Sequence, residues 1–238
     1  MSDDISKLFP ARRASADRPL AGLTLLVVED SRFACEALRL MCLRSGARMR
    51  RADTLAAARR HMAAYRPAAL IVDMGLPDGS GAELIGELDT AQPRVSVILG
   101  LSGDAGQEGV ALAAGAQGFL SKPLSSVAAF QEAILAHLPD ARPAGPRALC
   151  GDDLRPDPIA LRDDLARAAR VLEDTWDDRT LDYVAQFVGS VAQTAQDDRL
   201  ARAASVLAQR RTAGEGAGAA IRELRRVMDR RLAGPGPI

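Results

Sequence analysis

The sequence predicts an α/β chain: a doubly wound, five-stranded parallel sheet followed by a small all-α helical domain. Three observations carry this reading. Continuously apolar, β-branched runs in the first half stop abruptly at acidic or small residues, and amphipathic helical patterns separate them. After Pro158 the strand-like runs cease and only helical periodicity remains. Runs apolar throughout suit strands buried on both faces of a parallel sheet, and their alternation with helices is the signature of a doubly wound domain.

The elements follow in order. Residues 1–20 carry Pro10, Pro19 and mixed charge without periodicity, and are expected to form a mobile N-terminal tail. Leu23 to Val28 is the first strand and ends at Glu29-Asp30. A helix from Arg32 to Arg44 turns Phe33, Ala37, Leu38, Met41 and Cys42 to one side, and a short strand follows around Met49. A helix from Leu55 to Tyr65 leads to the strand Ala69–Val72, which ends at Asp73. Ala82–Leu88 is helical, Val95–Leu101 is a strand ending at Ser102-Gly103-Asp104, and Glu108–Ala114 is helical again. Gln117–Leu120 gives the fifth strand and Ser125–Leu138 the last helix of a domain bounded at 21–139. Residues 140–157, rich in Pro, Gly and Asp-Pro pairs, read as a linker.

Residues 158–238 read as four amphipathic helices. Their apolar stripes are Ile159, Leu161, Leu165, Ala168, Ala169 and Leu172; then Leu181, Val184, Phe187, Val188 and Val191; then Leu200, Ala203, Ala204 and Leu207. After the break Gly214-Glu215-Gly216-Ala217-Gly218 comes a fourth, with Ile221, Leu224, Val227, Met228 and Leu232. Such stripes indicate a small bundle or a dimerising helical hairpin.

In an open α/β sheet, ligands bind beyond the carboxyl ends of the strands. Glu29, Asp30, Asp73, Ser102 and Lys122 all fall at or just after strand ends, so the fold gathers them at one edge. Three converging carboxylates repel one another unless a cation neutralises them. An oxygen-rich site with few protein ligands suits Mg²⁺ beside phosphate. Lys122 stands out for a second reason. Of the 31 Lys and Arg residues only Lys7 and Lys122 are lysine. Where surfaces are written in Arg, a retained Lys marks a place that needs a compact ammonium. With Ser102 it supplies donors for phosphoryl oxygens.

These residues resemble the receiver domain of bacterial two-component response regulators. The motifs are Val-Val-Glu-Asp-Ser, Leu-Ile-Val-Asp-Met-Gly-Leu-Pro-Asp-Gly-Ser-Gly, Leu-Gly-Leu-Ser-Gly and Phe-Leu-Ser-Lys-Pro-Leu, in order and at the family's spacing. The resemblance implies that Asp73 is a phosphoacceptor served by a histidine kinase or a phosphotransfer protein. It implies that Glu29, Asp30, Asp73 and the Gly75 carbonyl hold Mg²⁺. Ser102 and Lys122 would contact the phosphoryl oxygens, Phe119 would be the switch aromatic, and Lys122-Pro123 would be cis. The chain would then be a phosphoprotein of signal transduction and not an enzyme, apart from self-catalysed phosphorylation and dephosphorylation at aspartate. Two glycines depart from the commonest pattern: Gly103 after the Ser/Thr position, and Gly75 two residues beyond the acceptor. Both are expected to leave open space at the acyl phosphate. Asp104 is then either a residue that positions the hydrolytic water or simply a cap for the next helix.

The rest of the chain sets bounds. It has 238 residues, 47% of them hydrophobic, and formal net charge +0. It has no run near the roughly 18 apolar residues of a membrane span. The acidic start lacks a signal-peptide core, and Cys35, Cys42 and Cys150 show no metal spacing, which predicts a cytoplasmic protein. Residues 151–238 hold 14 Arg against 15 acidic residues, which argues against nucleic acid as a partner. The helical half is therefore expected to act through a protein partner or self-association. The alternative is a DNA-binding transcriptional regulator with an unfamiliar helical output. Phe187-Val188-Gly189-Ser190 also resembles faintly the segment after the phosphorylatable His of phosphotransfer domains, with Ala185 at the His position.

Overall fold

The computed structural model describes residues 14–138, 157–174 and 177–233. In the first half β1 (Thr24–Val28), β2 (Arg48–Ala52), β3 (Ala69–Asp73), β6 (Val97–Ser102) and β7 (Gly118–Ser121) form one parallel sheet in the order β2-β1-β3-β6-β7. The doubly wound five-stranded sheet expected from the sequence is present. Between β3 and the next helix lies a feature the periodicity did not announce, a two-residue hairpin of β4 (Gly75–Leu76) and β5 (Gly79–Ser80).

Side-chain alternation sends the strands' residues to two cores. Leu25, Val27, Ile71, Leu99 and Leu101 pack with Leu38 and Met41 of α1 (Arg32–Ser45) and with Phe130 and Ile134 of α5 (Val127–Leu135). Leu26, Val28, Leu70, Val72 and Ile98 face the other way. They meet Leu55 and Ala58 of α2 (Leu55–Ala64), Leu84 and Ile85 of α3 (Gly81–Thr90) and Ala111 of α4 (Gln107–Ala113). Burial on both faces explains why these strands read as apolar throughout.

The stretch expected to be a mobile tail lies outside the described residues up to 13. The end of that stretch instead packs onto the domain: Pro19 and Leu20 are buried, and the Leu20 N–H donates to the Ser45 carbonyl at 2.9 Å. An apolar side chain that finds a groove at the end of α1 overrides the polar, Pro-bearing composition around it. The stretch expected to be a linker lies outside the described residues except for Asp157, whose carboxylate accepts from Ile159 N–H at 2.9 Å.

The second half is a four-helix bundle of α6 (Pro158–Asp174), α7 (Asp178–Thr194), α8 (Asp198–Thr212) and α9 (Gly218–Ala233). The expected stripes form its core, with Leu165, Leu172, Val188, Val191, Leu207, Leu224 and Met228 buried together. Ile159 is the exception: it sits on the first turn of α6 and is 56% exposed. The bundle lies against the α/β half, α6 on α1 and α7 on α1 and β4. That contact reaches the site itself.

Candidate functional site

Four strands of the sheet deliver these residues to one edge. Glu29 and Asp30 follow β1, Asp73 ends β3, Ser102 ends β6 and Lys122 follows β7. All five are buried, and carboxylate oxygens of Glu29, Asp30 and Asp73 lie within 4.8 Å of one another. Lys122 Nζ donates to Glu29 Oε2 at 2.6 Å and stands 3.4 Å from Asp73 Oδ2. Lys122-Pro123 is cis, as the resemblance implies.

The electrostatics follow from burial. Desolvation and the neighbouring Glu29 push Asp73 up to about 8 and Asp30 to about 6. Burial works against the Lys122 ammonium, but Asp73 and Glu29 outweigh it and hold its titration above the ordinary lysine range. One ammonium cannot balance three carboxylates in a space this small. The donors are hard oxygens, so the set fits a divalent cation of the Mg²⁺ type. A bound Mg²⁺ would supply positive charge at this edge.

Other residues hold this edge in shape, and sequence reasoning did not single them out. Arg51 of β2 donates to the backbone carbonyls of Glu29 (3.2 Å) and Asp30 (2.9 Å), fixing the end of β1. Asp78, beyond β4, accepts from Leu55 N–H and Ala56 N–H at 2.8 and 3.0 Å and ties the hairpin to the start of α2. Ser102 Oγ accepts from Asp104 N–H at 3.1 Å, and Asp104 Oδ1 accepts from Gly106 N–H at 2.9 Å. One oxygen of Asp104 is thus engaged in the turn before α4, although Asp104 also lines a cavity with Asp73 and Ser102. Phe119, half-buried, packs with the core cluster that holds Val72 and Ile98.

At the two glycines expected to leave open space, side chains of another helix stand where a Cβ would go. A Cβ on Gly75 would fall 1.9 Å from Gln186 Nε2, and one on Gly103 2.9 Å from Gln193 Cγ. Both side chains come from α7. The same helix places Ser190 Oγ 2.6 Å from Lys122 Nζ and donates the Tyr183 hydroxyl to Asp30 Oδ2. Arg167 of α6 donates to that hydroxyl at 3.2 Å and lies 3.8 Å from Asp30. Asp164 of α6, itself buried, accepts from Ser31 Oγ (2.8 Å), Arg32 N–H (3.2 Å) and Phe33 N–H (3.1 Å) at the start of α1. A cavity of about 580 Å³ remains between Asp73, Ser102 and α7, and Ala185 is among its lining residues.

Residues 25–134 match the response regulator receiver domain family. The KDP operon transcriptional regulatory protein KdpE of Escherichia coli is 34% identical over 99 residues, covering 42% of this chain and 44% of the relative. The transcriptional regulatory protein KdpE of Mycobacterium tuberculosis is 33% identical over 99 residues, with the same coverage of 42% and 44%. The chain thus spans less than half the length of these relatives. Among solved structures, the CheY-like receiver domain from Methylobacillus flagellatus is 23% identical, covering 48% of this chain and 97% of that one at a TM-score of 0.44. The receiver domain of the Pseudomonas aeruginosa sensor histidine kinase PA1611, with magnesium in its cleft, is 25% identical, covering 50% and 98% at 0.46. The α/β half is a response regulator receiver domain, and Mg²⁺ belongs at its acidic pocket. The family match ends at residue 134 and includes none of α6–α9.

Proposed function

We propose that this receiver domain accepts a phosphoryl group on Asp73 from a histidine kinase or a phosphotransfer protein and signals through the helices of residues 158–238. The observation that carries the reading is the buried Lys122 ammonium, 3.4 Å from Asp73 in a cluster of three carboxylates. In the reaction an Asp73 oxygen bonds to phosphorus as the donor's phosphorus–nitrogen bond breaks, and the imidazole leaves with its electron pair. Glu29, Asp30, Asp73 and the Gly75 carbonyl would hold Mg²⁺. Ser102 and Lys122 would take phosphoryl oxygens, and Phe119 would shift once Ser102 moves. Hydrolysis of the acyl phosphate closes the cycle.

A protein partner is favoured over DNA by the charge of the bundle. In the basic last helix Arg225 pairs with Glu173, Arg226 with Glu223 at 2.6 Å and Arg231 with Asp197 at 2.6 Å. Arginines already paired have less charge to offer a phosphate backbone. Asp73→Asn should abolish labelling by acetyl phosphate in Mg²⁺ with the circular dichroism spectrum unchanged. Labelling of the Asn variant at the parent's rate would remove Asp73 from the role.

A further inference from the structure

We propose that α7 is a lid built into the chain, seated in the receiver's acceptor cleft, and that it must leave before Mg²⁺ and a phosphodonor can act there. The inference rests on the phosphoacceptor reading and adds the regulation of that site. Tyr183, Gln186, Ser190 and Gln193 are spaced three, four and three residues apart, which puts them on one face of the helix. Each meets a different part of the cleft: Asp30, Gly75, Lys122 and Gly103 respectively. Asp164 anchors the neighbouring helix α6 at the start of α1.

Two features show that this seat is matched and not incidental. The two glycines that depart from the family pattern are the positions where a Cβ would meet the Gln186 and Gln193 side chains of α7. The contacts to the charged residues also consume the groups that the phosphorylated state needs. Lys122 Nζ already serves Glu29 and Ser190, two of its three donors, so a phosphoryl oxygen must compete with Ser190 for the ammonium. The Tyr183 hydroxyl occupies Asp30, and Gln186 crowds Gly75. Closure and phosphorylation therefore oppose each other, and by linkage each weakens the other by the same factor. The phosphoryl group, once in place, then keeps the bundle from reseating.

Closure can be locked. The Cβ positions of residues 103 and 193 lie 3.3 Å apart, close to the roughly 3.5–4.5 Å that a disulfide spans. In a Cys150→Ser background, Gly103→Cys with Gln193→Cys should cross-link under mild oxidant. The oxidised 238-residue chain should then label with acetyl phosphate about tenfold more slowly than after reduction, a typical coupling. Calorimetric titration with Mg²⁺ alone should weaken in parallel. Asp164→Ala, which loosens the anchor, should label faster than the parent. Failure of the pair to cross-link in a folded protein would overturn the lid. So would equal labelling and Mg²⁺ affinity of the oxidised and reduced forms, or an Asp164→Ala rate no higher than the parent's. If Asp73→Asn abolishes labelling while these controls show no effect of closure, the lid falls and the acceptor assignment stands.

Discussion

Asp73 and Asp30 sit where their charges are least welcome, and this has a sign that can be measured. Both carboxyls titrate at 3.8 in the ordinary case but are raised by burial, Asp73 to about 8 and Asp30 to about 6. The folded state keeps protons that the unfolded chain releases. That stabilisation is fully present below the unfolded value and is lost as pH rises through 6 and then 8. In EDTA the thermal midpoint should therefore fall between about pH 5.5 and pH 8.5, and Mg²⁺ should shrink the fall by favouring the charged forms. Asp73→Asn should flatten the upper part of the curve. A midpoint that held or rose across the window would contradict the raised titrations. Cys42, pushed up to about 12 by burial, and Cys35, pushed higher still, stay protonated throughout. At this scale the sequence was informative. Glu29, Asp30, Asp73, Ser102 and Lys122 were legible because each ends a strand, and strand ends converge by topology alone. Arg51 was not legible, because an arginine in an Arg-rich chain carries no mark of the carbonyls it bonds.

α1 shows what a helix borrows from elsewhere. Its first turn contains no acidic residue, although a negative charge there is favourable. Ser31 caps it by accepting from Ala34 N–H at 2.9 Å, and α6 brings in the missing carboxylate as Asp164. Ser31→Ala should cost about 1 kcal/mol for the cap. It should cost a further 1.5–3 kcal/mol or so for the hydrogen bond lost by the buried carboxylate. In an Asp164→Ala background the cost should fall back towards the cap alone, as urea unfolding of the four variants would show. Additive costs would mean that α6 does not dock on α1 in solution. Periodicity located the helices and the central strands well, since two-sided burial leaves few alternatives. It missed the β4–β5 hairpin, whose four residues are too few for any period. It also counted Ile159 in an apolar stripe, although that residue is exposed, because periodicity cannot show which end of a stripe is covered.

The largest misreading was of the whole molecule, and it came from treating two glycines as vacancies. Gly75 and Gly103 do leave room, but for side chains 111 and 90 residues further along the chain, Gln186 and Gln193. Nothing in either local pattern announces so distant a partner. Interlock of this kind must still open, and the distribution of apolar contacts allows it. Among the described residues, the core of the bundle draws only on positions from 161 to 232, and the two cores of the receiver only on positions from 20 to 138. The contacts named between the halves are polar, so separation leaves each core intact. The two halves should therefore unfold as separate calorimetric transitions. Leu224, fully buried in α9, belongs to the bundle core and to none of the contacts with the receiver named above. Leu224→Ala should cost about 2–5 kcal/mol. For a unit of this size that lowers the bundle's transition by about 4–8 °C per kcal/mol, while the receiver's transition stays in place. Ile71→Ala, fully buried in β3, should do the reverse. A single transition that both substitutions shift alike would mean that the halves fold as one cooperative body, and an interface that opens only on global unfolding cannot serve as a lid.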